Sequence, residues 1–454
     1  MKSRKMSRVF KGMAVCATAM AGFWVAPVPA PAHEAAGDEV RCIAELDRAI
    51  LPANGATRAV VRVSLEAPHA SLRNRPPVNL ALVLDRSGSM SGDKLRRMQD
   101  AAMEAVRRLD ARDICSVVAY NHEVETVVGA QHATALEDIE RRIRQFNADG
   151  NTALFAGVSQ GANELRRNLS EQNINRIVLL SDGCANVGPS SPDDLGRLGA
   201  AFAKEGISVS TVGVGSDYNE DLMARLSQAG DGNTYFVEST ADLPRIFAAE
   251  IGEVLNVVAQ DVVIEVVCPA GVRPLRIIGR DGRIDGRRVE VTLNQLYGGQ
   301  SRFVLVEVEI DGTREGESRD VAQASCRYLN ALTQRRAQQQ AVARATFSRD
   351  ERKVEESINI KIKRDVVANE VAVAREQAIV LSDKGQKKEA AATLRASASM
   401  MQRIADKFRL PDMAKDADEV LQEAEVADTA GIKGAERKRM RTDSYQIINQ
   451  QNTK

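Results

Sequence analysis

The sequence predicts an α/β domain with a doubly wound, mostly parallel sheet, inserted in an antiparallel β-sandwich and followed by a C-terminal helical region. Three observations carry that expectation. Between residues 76 and 257, short apolar strand candidates alternate with amphipathic helices, the pattern of a parallel sheet covered on both faces. Strand-like segments bounded by turn residues stand on either side of that stretch. From about Glu351 onward, apolar residues recur with helical spacing. A chain of 454 residues has room for about three such units.

Residues 1–32 read as an export signal. Lys2, Arg4, Lys5, Arg8 and Lys11 make a basic start. Gly12 to Ala26 is apolar but too short to span a bilayer, and Ala30-Pro31-Ala32 offers a small-x-small cleavage site. The protein is therefore expected to be exported, to the periplasm or beyond, with no transmembrane span in the mature chain. Residues 38–72 hold two strands of the sandwich, 40–46 and 58–66, separated by a turn at Pro52 and Asn54-Gly55. Asn74-Arg75-Pro76-Pro77 is a stiff linker.

Within 76–257 the strand candidates are 78–84, 114–120, 124–128, 176–180 and 207–214. The helix at 94–109 carries Leu95, Met98, Ala102, Ala105, Val106 and Leu109 along one face. Thr134 and Glu137 have the spacing of a capping box, and Ser191-Pro192 reads as an N-cap followed by proline at the first helical position. The sandwich resumes over 258–348, with strands at 261–267, 273–278, 287–293 and 301–310. Ala322, Ala324, Cys326 and Tyr328 alternate with polar residues, as do Ala341, Ala343, Ala345 and Phe347. That period of two favours strands, although Ala and Gln favour helix. In 351–430, Leu394, Ala398, Met401, Ala405 and Phe408 trace one helix face, and Pro411 opens a second helix. A helical hairpin on the sandwich is expected there. Residues 431–454 are basic, then rich in Gln and Asn, and are expected to be poorly ordered.

Composition narrows the function. Lys+Arg and Asp+Glu balance at 62 each and aromatics are only 4%, which argues against nucleic acid or an anionic membrane as partner. Past the export signal, Cys42, Cys115, Cys184, Cys268 and Cys326 show no C-x-x-C pair, so zinc and thioredoxin-like chemistry have no support. One disulfide among Cys42, Cys268 and Cys326, or five buried free thiols, both fit the sequence.

Asp85, Ser87 and Ser89 place a carboxylate and two hydroxyls at alternate positions just past the apolar run 78–84. Such hard oxygens suit Mg²⁺, Mn²⁺ or Ca²⁺. Thr152 lies in the loop Asp149-Gly150-Asn151-Thr152, and Asp182 follows the strand at 176–180. In an open parallel sheet, ligands gather beyond the carboxyl ends of the strands, where Asp85 and Asp182 both fall. With these five residues in this order, the chain resembles the von Willebrand factor type A (VWA) family and its metal-ion-dependent adhesion site, over roughly residues 76–257. The wider layout, the stretch Leu-Asp-Arg-Ser-Gly-Ser-Met-Ser-Gly and the stretch Ser-Tyr-Gln-Ile-Ile-Asn-Gln-Gln are similar to bacterial VWA-domain proteins. The resemblance implies that Ser87, Ser89 and Thr152 contact the ion directly, and Asp85 and Asp182 directly or through water. It also implies a protein partner that supplies an Asp or Glu side chain. Arg86 reads as a solvated loop residue more than a source of potential, Asn186 as a loop-orienting or turn residue, and Asp217, Asn219 and Asp221 as a helix start.

Catalysis finds little support. Gly157-Val158-Ser159-Gln160-Gly161 matches a nucleophile-elbow pattern, but it lies in a predicted helix, and His33, His69, His122 and His132 are all upstream. The expectation is a non-enzymatic, exported, metal-dependent adhesion module. The alternatives are an assembly factor of an envelope complex and a metal-dependent hydrolase.

Overall fold

The computed structural model describes residues 39–53, 55–69, 75–215 and 217–451. The export signal expected over 1–32 lies outside them. Chain order begins with β1 (Arg41–Leu46), β2 (Ile50–Pro52) and β3 (Thr57–Glu66). The α/β unit follows as β4 (Val78–Asp85), α1 (Asp93–Arg107), β5 (Ile114–Tyr120), β6 (Val124–His132), α2 (Leu136–Gln145), α3 (Leu154–Arg166), β7 (Ile174–Ser181), α4 (Pro192–Lys204), β8 (Ile207–Val214), α5 (Glu220–Ala229), β9 (Asp231–Val237) and α6 (Leu243–Val254). Then come β10 (Val257–Val267), β11 (Val272–Ile278), β12 (Arg283–Asp285), β13 (Arg288–Tyr297), β14 (Ser301–Ile310), β15 (Ser318–Asn330) and β16 (Arg335–Ser348). Five helices close the chain: α7 (Glu351–Glu356), α8 (Ile360–Asp383), α9 (Lys387–Phe408), α10 (Pro411–Thr429) and α11 (Gly434–Asn449).

The α/β sheet runs β6-β5-β4-β7-β8-β9, parallel except for the β5–β6 pair. All eight residues of β4 are buried. Their side chains alternate between two cores: Leu80, Leu82 and Leu84 pack with α1, and Ala81 and Val83 pack with α3. Connections diverge between β4 and β7, so the sheet has its switch point there, between Asp85 and Asp182. Strand β9 had no counterpart in the sequence reading, because Asp231-Gly232-Asn233-Thr234 dilutes its apolar signal. The capping box expected at Thr134 is not formed. Helix α2 starts one residue later, with Ala135 as N-cap and no side-chain cap, so Glu137 is out of register for the reciprocal bond. Ser191 does form its capping box, with Pro192 at the first position.

Strands from both sides of this unit pair with one another. Residues of β3 run antiparallel to β14 from Glu66 against Ser301 to Thr57 against Ile310. One sandwich sheet is β1-β3-β14-β11 and the other is β12-β13-β10-β15-β16-β2. The Ala- and Gln-rich segments at β15 and β16 are strands, as their period of two requires. The five described cysteines are free thiols, but they are not all buried as expected: Cys184 is exposed and Cys42 half-buried, because they lie in a surface loop and an edge strand.

A buried charge network joins the α/β unit to the sandwich. Arg176, at the start of β7, donates to Ser210 Oγ at 2.7 Å, Glu250 Oε1 at 3.1 Å, Gln295 Oε1 at 2.5 Å and Tyr297 Oη at 2.8 Å. Burial pulls its pKa down, but Tyr297 and Glu250 more than reverse that and hold it above the ordinary arginine value. Glu253 lies alongside, taking a 2.6 Å hydrogen bond from Asn233. Burial, and then the Glu250 charge, push its carboxyl up from 4.5 to about 7. A carboxyl whose folded pKa is raised gives stability that is fully present below the unfolded value and lost as pH rises through the folded one. Wild type minus Glu253→Gln, compared by thermal unfolding, is therefore expected to shift against wild type between pH 4.5 and about 7. A difference that stays constant across that window would refute this assignment.

The C-terminal region departs from expectation. It is an array of long helices in which α11 returns onto α8, α5 and β9, rather than a hairpin with a poorly ordered tail. The basic residues of α11 look solvated until their partners are known. Arg437 reaches Asp221 at 2.7 Å and Asp383 at 2.8 Å, and also pairs with Glu220. Lys438 reaches Glu220 at 2.5 Å and the Tyr218 carbonyl at 2.7 Å. Beyond them, glutamine side chains bind strand backbones. Gln446 donates to Thr234 O at 3.0 Å and Gln451 Oε1 accepts from Thr234 N at 3.1 Å. Gln450 closes both bonds with Phe303, at 2.7 and 2.9 Å. Among the described residues no helix is long and apolar enough to cross a membrane.

Candidate metal centre

The site is built at the carboxyl end of β4. Asp85 ends that strand, and its Oδ1 accepts the Ser87 backbone N–H at 2.8 Å, which turns the chain and brings Ser87 and Ser89 over the sheet edge. A second loop is tied alongside: Gly88 N donates to Gly150 O at 3.0 Å, and Asp149 N to Arg86 O at 2.9 Å. Gly150 has φ +70°, a left-handed conformation that glycine adopts without strain. Thr152 is fixed from both sides by Asn186, whose Oδ1 accepts from Thr152 N at 2.8 Å and whose N donates to Thr152 O at 3.1 Å. That gives Asn186 the orienting role. Asn219 is the N-cap of α5, accepting from Asp221 N and Leu222 N.

The structure brings all five sequence-predicted residues together. Ser87 Oγ and Ser89 Oγ lie 3.0 Å apart, and Ser89 Oγ donates to Asp182 Oδ1 at 2.7 Å. Asp85 and Asp182 are wholly buried, Ser87 and Thr152 nearly so, and Ser89 is exposed. The carboxylates thus form a closed floor and Ser89 stands at the mouth. Burial pushes the Asp85 carboxyl up to about 6; hydrogen bonds from Ser181 and Ser87 oppose this and the Asp182 charge adds to it. Two buried carboxylates side by side are costly unless positive charge is near.

Two residues of this centre escaped the sequence reading. Ser181 donates to Asp85 Oδ2 at 2.6 Å, and Lys94 places its ammonium on Asp182 Oδ2. Ser181 had a local signal, a hydroxyl directly before Asp182 at a strand end. Lys94 had none, because its contact spans 88 residues of sequence. Arg86 is less solvated than expected: its side chain is 15% exposed, and it lies 3.7 Å from Glu125 and 3.8 Å from Asp149.

The residues fit a hard divalent ion. Carboxylate and hydroxyl oxygens are the donor set of Mg²⁺, Mn²⁺ and Ca²⁺. They also converge on a common space. A methyl placed on Gly183 would lie 3.2 Å from Thr152 Oγ1, 3.5 Å from Ser89 Oγ and 3.9 Å from Asp85 Oδ2, so the 85–89 loop and the Thr152 loop aim oxygens at the space in front of Gly183. Among the described residues no group of three or more His, Cys, Asp or Glu is placed to hold a metal. Ser159 sits within α3 with its hydroxyl on Phe155 O at 2.7 Å, a helical position that excludes a nucleophile elbow.

Residues 79–249 match the family model of the von Willebrand factor type A domain. YfbK of Escherichia coli (strain K12) is 27% identical over 266 residues, which are 57% of this chain and 46% of that protein. The protein sll0103 of Synechocystis sp. is 26% identical over 278 residues, 59% of this chain and 65% of that one. The match therefore spans less than two thirds of either relative. Inter-alpha-trypsin inhibitor heavy chain H2 of Mesocricetus auratus is 29% identical over 165 residues, covering 34% of this chain and 17% of its own. Among solved structures, a von Willebrand factor type A protein from Catenulispora acidiphila superposes with a TM-score of 0.67 at 16% identity, over 89% of this chain and 95% of that one. The ArnB paralog VWA2 from Sulfolobus acidocaldarius gives 0.58 at 15% identity, over 90% and 98%. At these identities the likeness is one of fold, and its extent takes in the sandwich and helices as well as the α/β unit.

Proposed function

Because this chain carries a von Willebrand factor type A domain over residues 79–249, we propose that it captures a protein partner through a divalent cation held by Asp85, Ser87, Ser89, Thr152 and Asp182. Mg²⁺ is the first candidate, with Mn²⁺ or Ca²⁺ able to replace it. The observation that carries this reading is the convergence of Thr152, Ser89 and Asp85 oxygens on the space facing Gly183, with Ser87 and Asp182 hydrogen-bonded to Ser89 beside them. When bound, the ion supplies a point of positive charge with an affinity for further oxygen ligands. Asp85 and Asp182 balance that charge from the floor, the hydroxyls add neutral donors, and the exposed Ser89 side leaves room for an Asp or Glu of the partner. The role is binding rather than turnover. The basic and apolar start of residues 1–32 supports an exported protein, acting in the periplasm or outside the cell.

The test is capture from a native envelope extract on immobilised wild type and Asp85→Ala, each with and without EDTA. The partner is expected on untreated wild type alone, with metal binding weakened about 10- to 100-fold in the variant. The same partner retained in all four samples would sink the proposal.

A further inference from the structure

We propose that Lys94 is a built-in counter-cation of the metal centre, which holds Asp182 in place and leaves the ion-loaded site with one net positive charge for an incoming carboxylate. The inference rests on the metal-centre reading above. The two carboxylates are held in different ways. Asp85 is held by neutral donors, Ser181 Oγ at 2.6 Å and Ser87 N–H at 2.8 Å. Asp182 takes one neutral donor, Ser89 Oγ at 2.7 Å, and one full positive charge, the Lys94 ammonium. Asp182 is fully buried while the Lys94 side chain is 31% exposed, so the ammonium reaches from the rim to the floor.

Local helix chemistry does not explain this lysine. Lys94 lies in the first turn of α1, where positive charge opposes the helix dipole, and the acidic residue of that turn, Asp93, is paired with Arg96. Its position is accounted for by Asp182. The charge balance then has a consequence. Two carboxylates alone would bring a divalent ion to neutrality, and a ligand would gain only coordination. With Lys94 present the same ion leaves an excess of one positive charge, which a single carboxylate cancels. Charge balance counts for more in this largely buried pocket than in water. Lys94 therefore lowers affinity for the metal, raises affinity for a monoanionic ligand, and acts as a positioning residue for Asp182.

The experiment uses chelator-treated full-length protein. Mn²⁺ is titrated by calorimetry, and acetate, a minimal carboxylate, is then added and read by water-proton relaxation at the bound Mn²⁺. Lys94→Gln is expected to bind Mn²⁺ about five- to tenfold more tightly than wild type, and acetate more weakly by a similar factor. Lys94→Arg is expected to stay near wild type in both. Thermal unfolding gives an independent readout: chelated Lys94→Gln melts below chelated wild type and gains more on adding Mn²⁺. If wild type takes up no Mn²⁺, the metal-centre reading falls and this inference with it. If wild type binds and Lys94→Gln binds Mn²⁺ equally or more weakly, or acetate equally, the role of Lys94 alone is overturned.

Discussion

Arg176→Met is expected to destabilise the protein by about 3–5 kcal/mol, the cost of leaving a buried charge without its partner. Arg176 and Glu250 both have side chains at 0% exposure, so no water replaces the lost guanidinium. The substitution strands more than Glu250. Gln295 Oε1 and Tyr297 Oη, on β13, each lose their donor from β7. Ser210, Asn233 and Tyr235 still donate to Glu250, at 2.5, 2.8 and 2.9 Å, which keeps the carboxylate solvated in part and sets the lower end of the range. Urea unfolding of both proteins measures the difference. Adding Glu250→Gln to Arg176→Met removes the stranded charge and is expected to restore roughly half of the loss or more. A single variant within about 0.5 kcal/mol of wild type, the range of ordinary surface changes, would show that this network does not bind the two units together.

The second large effect is expected from Lys438→Met, at about 2–3 kcal/mol, below the full cost of a broken buried pair because Arg437 stays on Glu220. The Lys438 ammonium bonds Glu220 and the Tyr218 carbonyl, and it lies 4.5 Å from the centroid of the Tyr218 ring. Its loss removes a charge-assisted pair, a carbonyl partner and a cation–π contact in one step. Because all three tie α11 to the start of α5, the variant is expected to release α11 first. Limited proteolysis around residues 430–437 should precede global unfolding in the variant and not in wild type. Simultaneous loss of all structure, with no early cleavage, would contradict this.

What was legible in the sequence divides along physical lines. The five oxygen donors were legible because each sits at a fixed offset from a strand end or in a loop preceding a helix, and strand ends are marked by apolar runs such as 78–84. Strand β14 was legible to its limits, Ser301–Ile310, because a continuous run of β-formers ends in the alternating Glu307-Val308-Glu309-Ile310. Lys94 was not, since a salt bridge between distant residues leaves no local trace. The three-residue β2 leaves no trace because its sheet partners, Thr346, Phe347 and Ser348, lie far along the chain. Helix α11 leaves no sequence trace for a related reason. A run such as Arg437-Lys438-Arg439 looks like a solvated tail until Glu220, Asp221 and Glu238 are found opposite it.

The glutamines at the end of α11 bear on two open sheet edges. β9 is the outermost strand of its sheet, and Phe303 lies beyond the paired stretch of β11 on β14. At both places the amides of Gln446, Gln450 and Gln451 occupy backbone groups that a neighbouring strand would otherwise use. Unpaired strand edges are templates for aggregation. A chain trimmed before Gln446 would keep its α/β core and its metal-site residues while offering two open edges to its neighbours. Shortening the protein for crystallisation or display at that point would therefore invite self-association.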